Sequence, residues 1–160
     1  MSGADDFDFL LGSWNIRNRR RTNPFSPEKD GVWEEFSATS TSAKQLDGRV
    51  RIEQYEATCP NGQLVLGLTI RAFDRVTQQW SIVWLDNRNP PDFRPLVGKF
   101  EDGVGLFYQV IEAPADGKPV HVRFTWDNIT QDAARWQQAF SFDGGDTWDT
   151  NWIMEHSRRE

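Results

Sequence analysis

The chain has 160 residues, eight of them tryptophan and eleven phenylalanine, and a formal net charge of −6. A domain of that length buries roughly two-thirds of the surface its unfolded chain exposes, so a core needs no staple, and a single cysteine, Cys59, leaves no internal disulfide to expect. The negative charge argues against general nucleic-acid binding, which draws on cationic surface, and no apolar run approaches the ~20 residues of a membrane-spanning helix, so membrane insertion is not expected.

The first predicted element is a short helix over residues 7–11. Phe7, Leu10 and Leu11 have helical spacing, Asp5, Asp6 and Asp8 suit a first turn, and Gly12 ends it. The same acidic residues stand where a secretory signal would be basic, which points to the cytoplasm. Period-two alternation then predicts strands over 13–21, 32–40, 49–57, 64–74, 79–86, 96–101, 105–112, 120–129, 135–142 and 148–156. Between them lie turn formers: Pro24, Pro27 and Gly31, then Asp47-Gly48, Pro60-Asn61-Gly62, Asn89-Pro90-Pro91, Asp102-Gly103, Asp116-Gly117 and Asp143-Gly144-Gly145. Short connections imply antiparallel hairpins, and so many strands without crossover helices must close or stack to hide their edges. The expectation is an all-β fold: a single closed antiparallel barrel of about eight to ten strands, with a sandwich as the alternative.

Three sets of residues carry possible chemistry. Arg17, Arg19, Arg20 and Arg21 end the first strand. Alternation sends Arg17, Arg19 and Arg21 to a solvated face balanced by acids such as Glu34, Glu35 or Glu53, while Arg20 shares the side of Trp14 and could guard a barrel mouth. In the hairpin that follows, the register predicted from the 74–79 turn opposes Phe73 to Trp80, Arg71 to Ile82 and Thr69 to Trp84, so these six residues share one face. If that face is interior, Arg71 needs a ligand anion or an internal acid such as Glu56, because an unpaired buried charge is prohibitive. If it is exterior, Leu66, Leu68, Ile70, Val83 and Leu85 line the lumen instead. His121 and His156 are too few for a three-histidine zinc site, and no metal is expected.

The opening Phe9-Leu10-Leu11-Gly12-Ser13-Trp14 resembles the short helix, glycine and tryptophan that begin the lipocalin and fatty-acid-binding barrels of the calycin group. That resemblance implies a tryptophan plugging the closed end beneath a cation from the last strand, here Arg158 or Arg159. Together with Arg71-Ala72-Phe73-Asp74, Thr77, Trp80, Asp143-Gly144-Gly145-Asp146-Thr147-Trp148, Asn151-Trp152 and Met154, the chain also resembles a bacterial family of unknown function with a lipocalin-like fold. Ser141 to Trp148 is similar to the Asp-box of sialidase propellers, read here as a self-capping hairpin because a propeller would repeat it. In size and opening the chain is similar to haem-binding barrels of the nitrobindin kind. That similarity implies a haem ligand late in the chain, with His156 the candidate, against an ordinary rim histidine.

The leading functional expectation is binding of a small hydrophobic or amphiphilic molecule in the barrel, at Thr69, Arg71, Phe73, Trp80, Ile82, Trp84 and Arg20, without a cofactor. Haem at His156 is the cofactor alternative. A barrel isomerase or cyclase, assisted by acids and bases such as Glu56, Tyr55, Tyr108 or Asp86, is the catalytic one, and a structural or partner-binding barrel whose interior is filled by its own side chains is the remaining one. A homodimer is compatible with any of them.

Overall fold

The computed structural model describes residues 3–26 and 31–160; Pro27 of the first predicted loop lies outside them. Ten strands follow in chain order: β1 (Gly12–Arg21), β2 (Trp33–Gln45), β3 (Val50–Thr58), β4 (Leu64–Asp74), β5 (Gln79–Asp86), β6 (Leu96–Glu101), β7 (Val104–Glu112), β8 (Pro119–Asp127), β9 (Ala133–Ser141) and β10 (Asp149–Arg158). Each pairs antiparallel with its neighbours in sequence, and β10 returns to β1, so the sheet closes into a barrel. Closure removes every sheet edge, which is what a run of hairpins without covering helices requires.

The largest departure from the predicted boundaries is β2, which continues to Gln45. Alternation fades after Ser40 because the inward positions there are Ser40 and Ser42, both buried. Small polar residues carry no apolar signal, so pairing with β1 and β3 extends the strand where periodicity does not.

The short helix expected at the N-terminus is present, beginning earlier than residue 7 and formed as two 3₁₀ turns, Gly3–Asp5 and Asp8–Leu10, closed by bonds from the Asp6 amide to the Gly3 carbonyl and from the Leu11 amide to the Asp8 carbonyl. Three-residue turns are the lengths at which i→i+3 bonding prevails. The break between them lets Phe7 and Leu10 both drop into the barrel, each about 1% exposed. Gly12 then turns the chain into β1 at φ 101°, a left-handed geometry that suits glycine.

This segment plugs one end. Phe7 meets Trp80 and Phe100 edge-on at 4.9 Å and stacks near Phe107 at 5.5 Å. Trp14 is fully buried beneath it, donates Nε1 to the Leu10 carbonyl at 2.9 Å, and is capped by the Arg158 guanidinium 4.2 Å from its ring. Arg158 also donates to the Leu11 and Phe9 carbonyls, so one side chain ties the last strand to the second turn. From β3, buried Arg51 donates Nη2 to the Asp8 carboxylate at 2.7 Å and to the Ala4 carbonyl at 2.9 Å.

Candidate functional site

The β4–β5 hairpin has the predicted register: Thr69 opposes Trp84, Arg71 opposes Ile82 and Phe73 opposes Trp80. This face looks inward. Leu66, Leu68, Ile70, Val83 and Leu85 are therefore on the barrel's outer surface, and the alternative in which they line the lumen falls.

Inside the barrel, the counter-charge of Arg71 is Glu53 on β3. Arg71 Nη2 donates to Glu53 Oε1 at 2.9 Å with both side chains buried, the diagonal contact of neighbouring antiparallel strands. Burial acts to raise the Glu53 carboxyl, but Arg71 and the hydrogen bonds to the carboxylate outweigh it and hold it below its ordinary value. Glu53 was expected among outward acids and Glu56 inside; the parity of β3 reverses the two, and Glu56 is exposed. The guanidinium also lies 4.9 Å from the Phe7 ring and 5.7 Å from the Trp126 ring, directly above the plug.

His156 is not a rim residue. It opposes Ile16 across the β1–β10 seam and is 4% exposed, its ring 5.1 Å from Trp126 and 6.0 Å from Trp14. Burial depresses its pKa to about 4, with Glu53 opposing the shift, so the imidazole is neutral at pH 7.

Above these groups is a cavity of about 90 Å³. Its floor is Glu53, Arg71, Trp126 and His156, and its walls include Tyr55, Trp84, Phe124, Trp136, Trp152 and Met154. The wall rings interlock edge-to-face: Phe124 with Trp136 at 4.9 Å, Trp136 with Trp152 at 5.4 Å, and Tyr55 with Trp84 at 5.5 Å. A porphyrin does not fit this volume, which is below the ~300–1,000 Å³ of pockets for drug-sized ligands.

The polar atoms divide between walls and floor. Trp152 Nε1 and the Tyr55 hydroxyl both donate to Asn18 Oδ1, at 2.9 and 3.1 Å, and Trp84 Nε1 donates to Asp86 Oδ2 at 2.8 Å. Three of the wall rings, Tyr55, Trp84 and Trp152, thus have partners for their polar atoms. On the floor, Arg71 Nε and Nη1, Trp126 Nε1 and His156 Nδ1 are buried without a hydrogen-bond partner. Such atoms are uncommon in native interiors and each calls for a reason.

Of the residues singled out from sequence, Thr69, Arg71, Ile82 and Trp84 line this cavity. Phe73 and Trp80 belong to the plugged end, where Trp80 is fully buried and donates to the Gly3 carbonyl at 3.2 Å. Arg20 is at the opposite rim, sandwiched between Phe36 and Trp152 at 4.9 and 5.0 Å and bound twice to Glu34 Oε1. Among the proposed acids and bases, Tyr108 and Glu56 face outward. Asp86 is at the rim, where bonds from Trp84 and Arg88 outweigh burial and lower its pKa, and burial raises that of Tyr55. Trp126, Trp136, Gln138 and Trp152 were missed, although carrying the inward phase from strand to strand around the closed sheet finds each of them.

No protein-family profile and no curated protein matches the sequence. Among solved structures, the S-type phycobiliprotein lyase CPES of Guillardia theta superposes with a TM-score of 0.64 at 11% identity, over 100% of this chain and 94% of that one. A de novo designed fluorescence-activating β-barrel aligns over 97% of this chain and 98% of its own, at TM-score 0.49 and 14% identity. The fold is shared with the lyase; at these identities the likeness extends no further.

Proposed function

We propose that the protein binds a compact, largely apolar small molecule inside the barrel, with Arg71 as its polar anchor. One observation carries this reading: a walled cavity lined by Arg71, Trp126 and His156, each of which holds a buried polar atom with no partner, while Trp84, Trp152 and Tyr55 have theirs. Pockets for small molecules have this composition, apolar area for affinity and a few fixed polar groups for orientation. The volume of about 90 Å³ limits the ligand to a small, ring-sized molecule and excludes a long acyl chain.

The test is to fill the cavity. Thr69 is buried, lines it and opposes Glu53 across β3 and β4, and a Thr69→Leu side chain adds bulk there without adding or removing a charge. With toluene, phenol and acetophenone as probes, calorimetry and tryptophan fluorescence should detect binding to the parent, weakened at least tenfold in Thr69→Leu, with melting temperatures that stay close. Equal binding by both proteins would move the ligand elsewhere, and no binding by the parent would end the proposal.

A further inference from the structure

The charges on the cavity floor limit what the cavity accepts. Arg71 and Glu53 already neutralise each other at 2.9 Å, and His156 adds no charge at neutral pH. The other residues lining the cavity are aromatic, aliphatic or uncharged polar groups. A ligand carboxylate would therefore enter as a second anion beside Glu53 with no free cation to meet it, in a medium of low dielectric where that is strongly unfavourable.

Three of the four unpartnered floor atoms have a definite sign as well. Arg71 Nε and Nη1 and Trp126 Nε1 can only donate, whereas Nδ1 of the neutral His156 can donate or accept. Of the three most deeply buried indoles, Trp14 and Trp80 donate Nε1 to backbone carbonyls and Trp126 to nothing among the described residues. Arg71 and Trp126 are in contact, the guanidinium carbon 5.7 Å from the ring, and His156 packs against the same indole. The floor thus needs an acceptor from outside and has no charge left to balance.

We propose that the ligand is an uncharged molecule with a carbonyl oxygen, a compact aromatic or alicyclic ketone, lactone or amide, whose oxygen accepts from Arg71 and Trp126 while its ring lies among Trp84, Trp136 and Trp152. This inference rests on the binding function proposed above and specifies its chemistry: the site selects a neutral acceptor and rejects the corresponding carboxylate.

Three probes of nearly equal size separate the possibilities: acetophenone, a neutral acceptor; ethylbenzene, with no acceptor; and benzoate, an anion. At pH 7.5, acetophenone should bind the parent at least tenfold more tightly than either of the others. Trp126→Phe keeps a ring and removes one donor, so acetophenone should weaken severalfold while ethylbenzene is unchanged. Glu53→Gln removes the charge that cancels Arg71 and should reverse the preference, raising benzoate affinity at least tenfold. Benzoate binding the parent as well as acetophenone, or ethylbenzene matching acetophenone, overturns the carbonyl assignment and leaves the binding function standing. Failure of both neutral probes to bind overturns the binding function itself. If Glu53→Gln does not fold, the parent's three affinities and Trp126→Phe still decide.

Discussion

His156 shows how far a side chain's surroundings can carry it from its sequence context. Nothing in Trp152, Met154 and His156 distinguishes a rim histidine from an interior one; the β1–β10 pairing does, by placing it opposite Ile16. The unfolded chain has an ordinary histidine pKa near ~6.5, and the folded value is about 4. Between those values the unfolded state holds a proton that the folded state lacks, so stability should fall as pH drops from about 6.5 to about 4, by up to about 3 kcal/mol. Glu53, which opposes the shift, is itself held below its ordinary value and so stays charged over most of that window. His156→Phe keeps a ring in place and should show a smaller loss between pH 7.5 and 4.5, measured by urea midpoints. Equal losses would mean that the imidazole is protonated in the folded protein.

Hairpins are the elements in which local sequence says most. From Ser141 to Trp148 the turn is held by its own side chains: Asp143 Oδ1 accepts from the Ser141 hydroxyl at 2.7 Å and the Thr147 amide at 2.9 Å, and Asp143 Oδ2 accepts from the Thr147 hydroxyl at 2.6 Å. These bonds hold the Asp143 carboxyl below its ordinary pKa, with the Thr147 side chain the first contributor. Gly144 and Gly145 take φ of 76° and 98°, which side chains rarely adopt. Asp143→Ala should lower the melting temperature, and Thr147→Val added to it should lower it by less than Thr147→Val alone does, because the two residues share their bonds. Additive losses in a thermal double-mutant cycle would show that the turn does not act as one unit. The end of β2 was not legible in the same way, because Ser40 and Ser42 are held by pairing on both sides and not by their own polarity.

At the scale of the whole molecule, the barrel depends on its plug. Trp14 joins the second 3₁₀ turn, the first strand and Arg158 of the last strand through one buried ring. Trp14→Ala should cost about 3–5 kcal/mol, the range for deleting a large buried aromatic, and a denaturation midpoint equal to the parent's would show that the closed end is held by other contacts. Strand positions, turns and the Phe73–Trp80 register were set by the sequence alone, because alternation and turn chemistry act over a few residues. Which parity faces inward was decided by closure, since either face of a β4–β5 hairpin taken alone has enough apolar area to be buried. The floor of the cavity likewise exists only in the closed barrel. Glu53, Arg71, Trp126 and His156 come from β3, β4, β8 and β10, and no local pattern relates strands so far apart in the chain until the sheet closes and turns all four toward one axis.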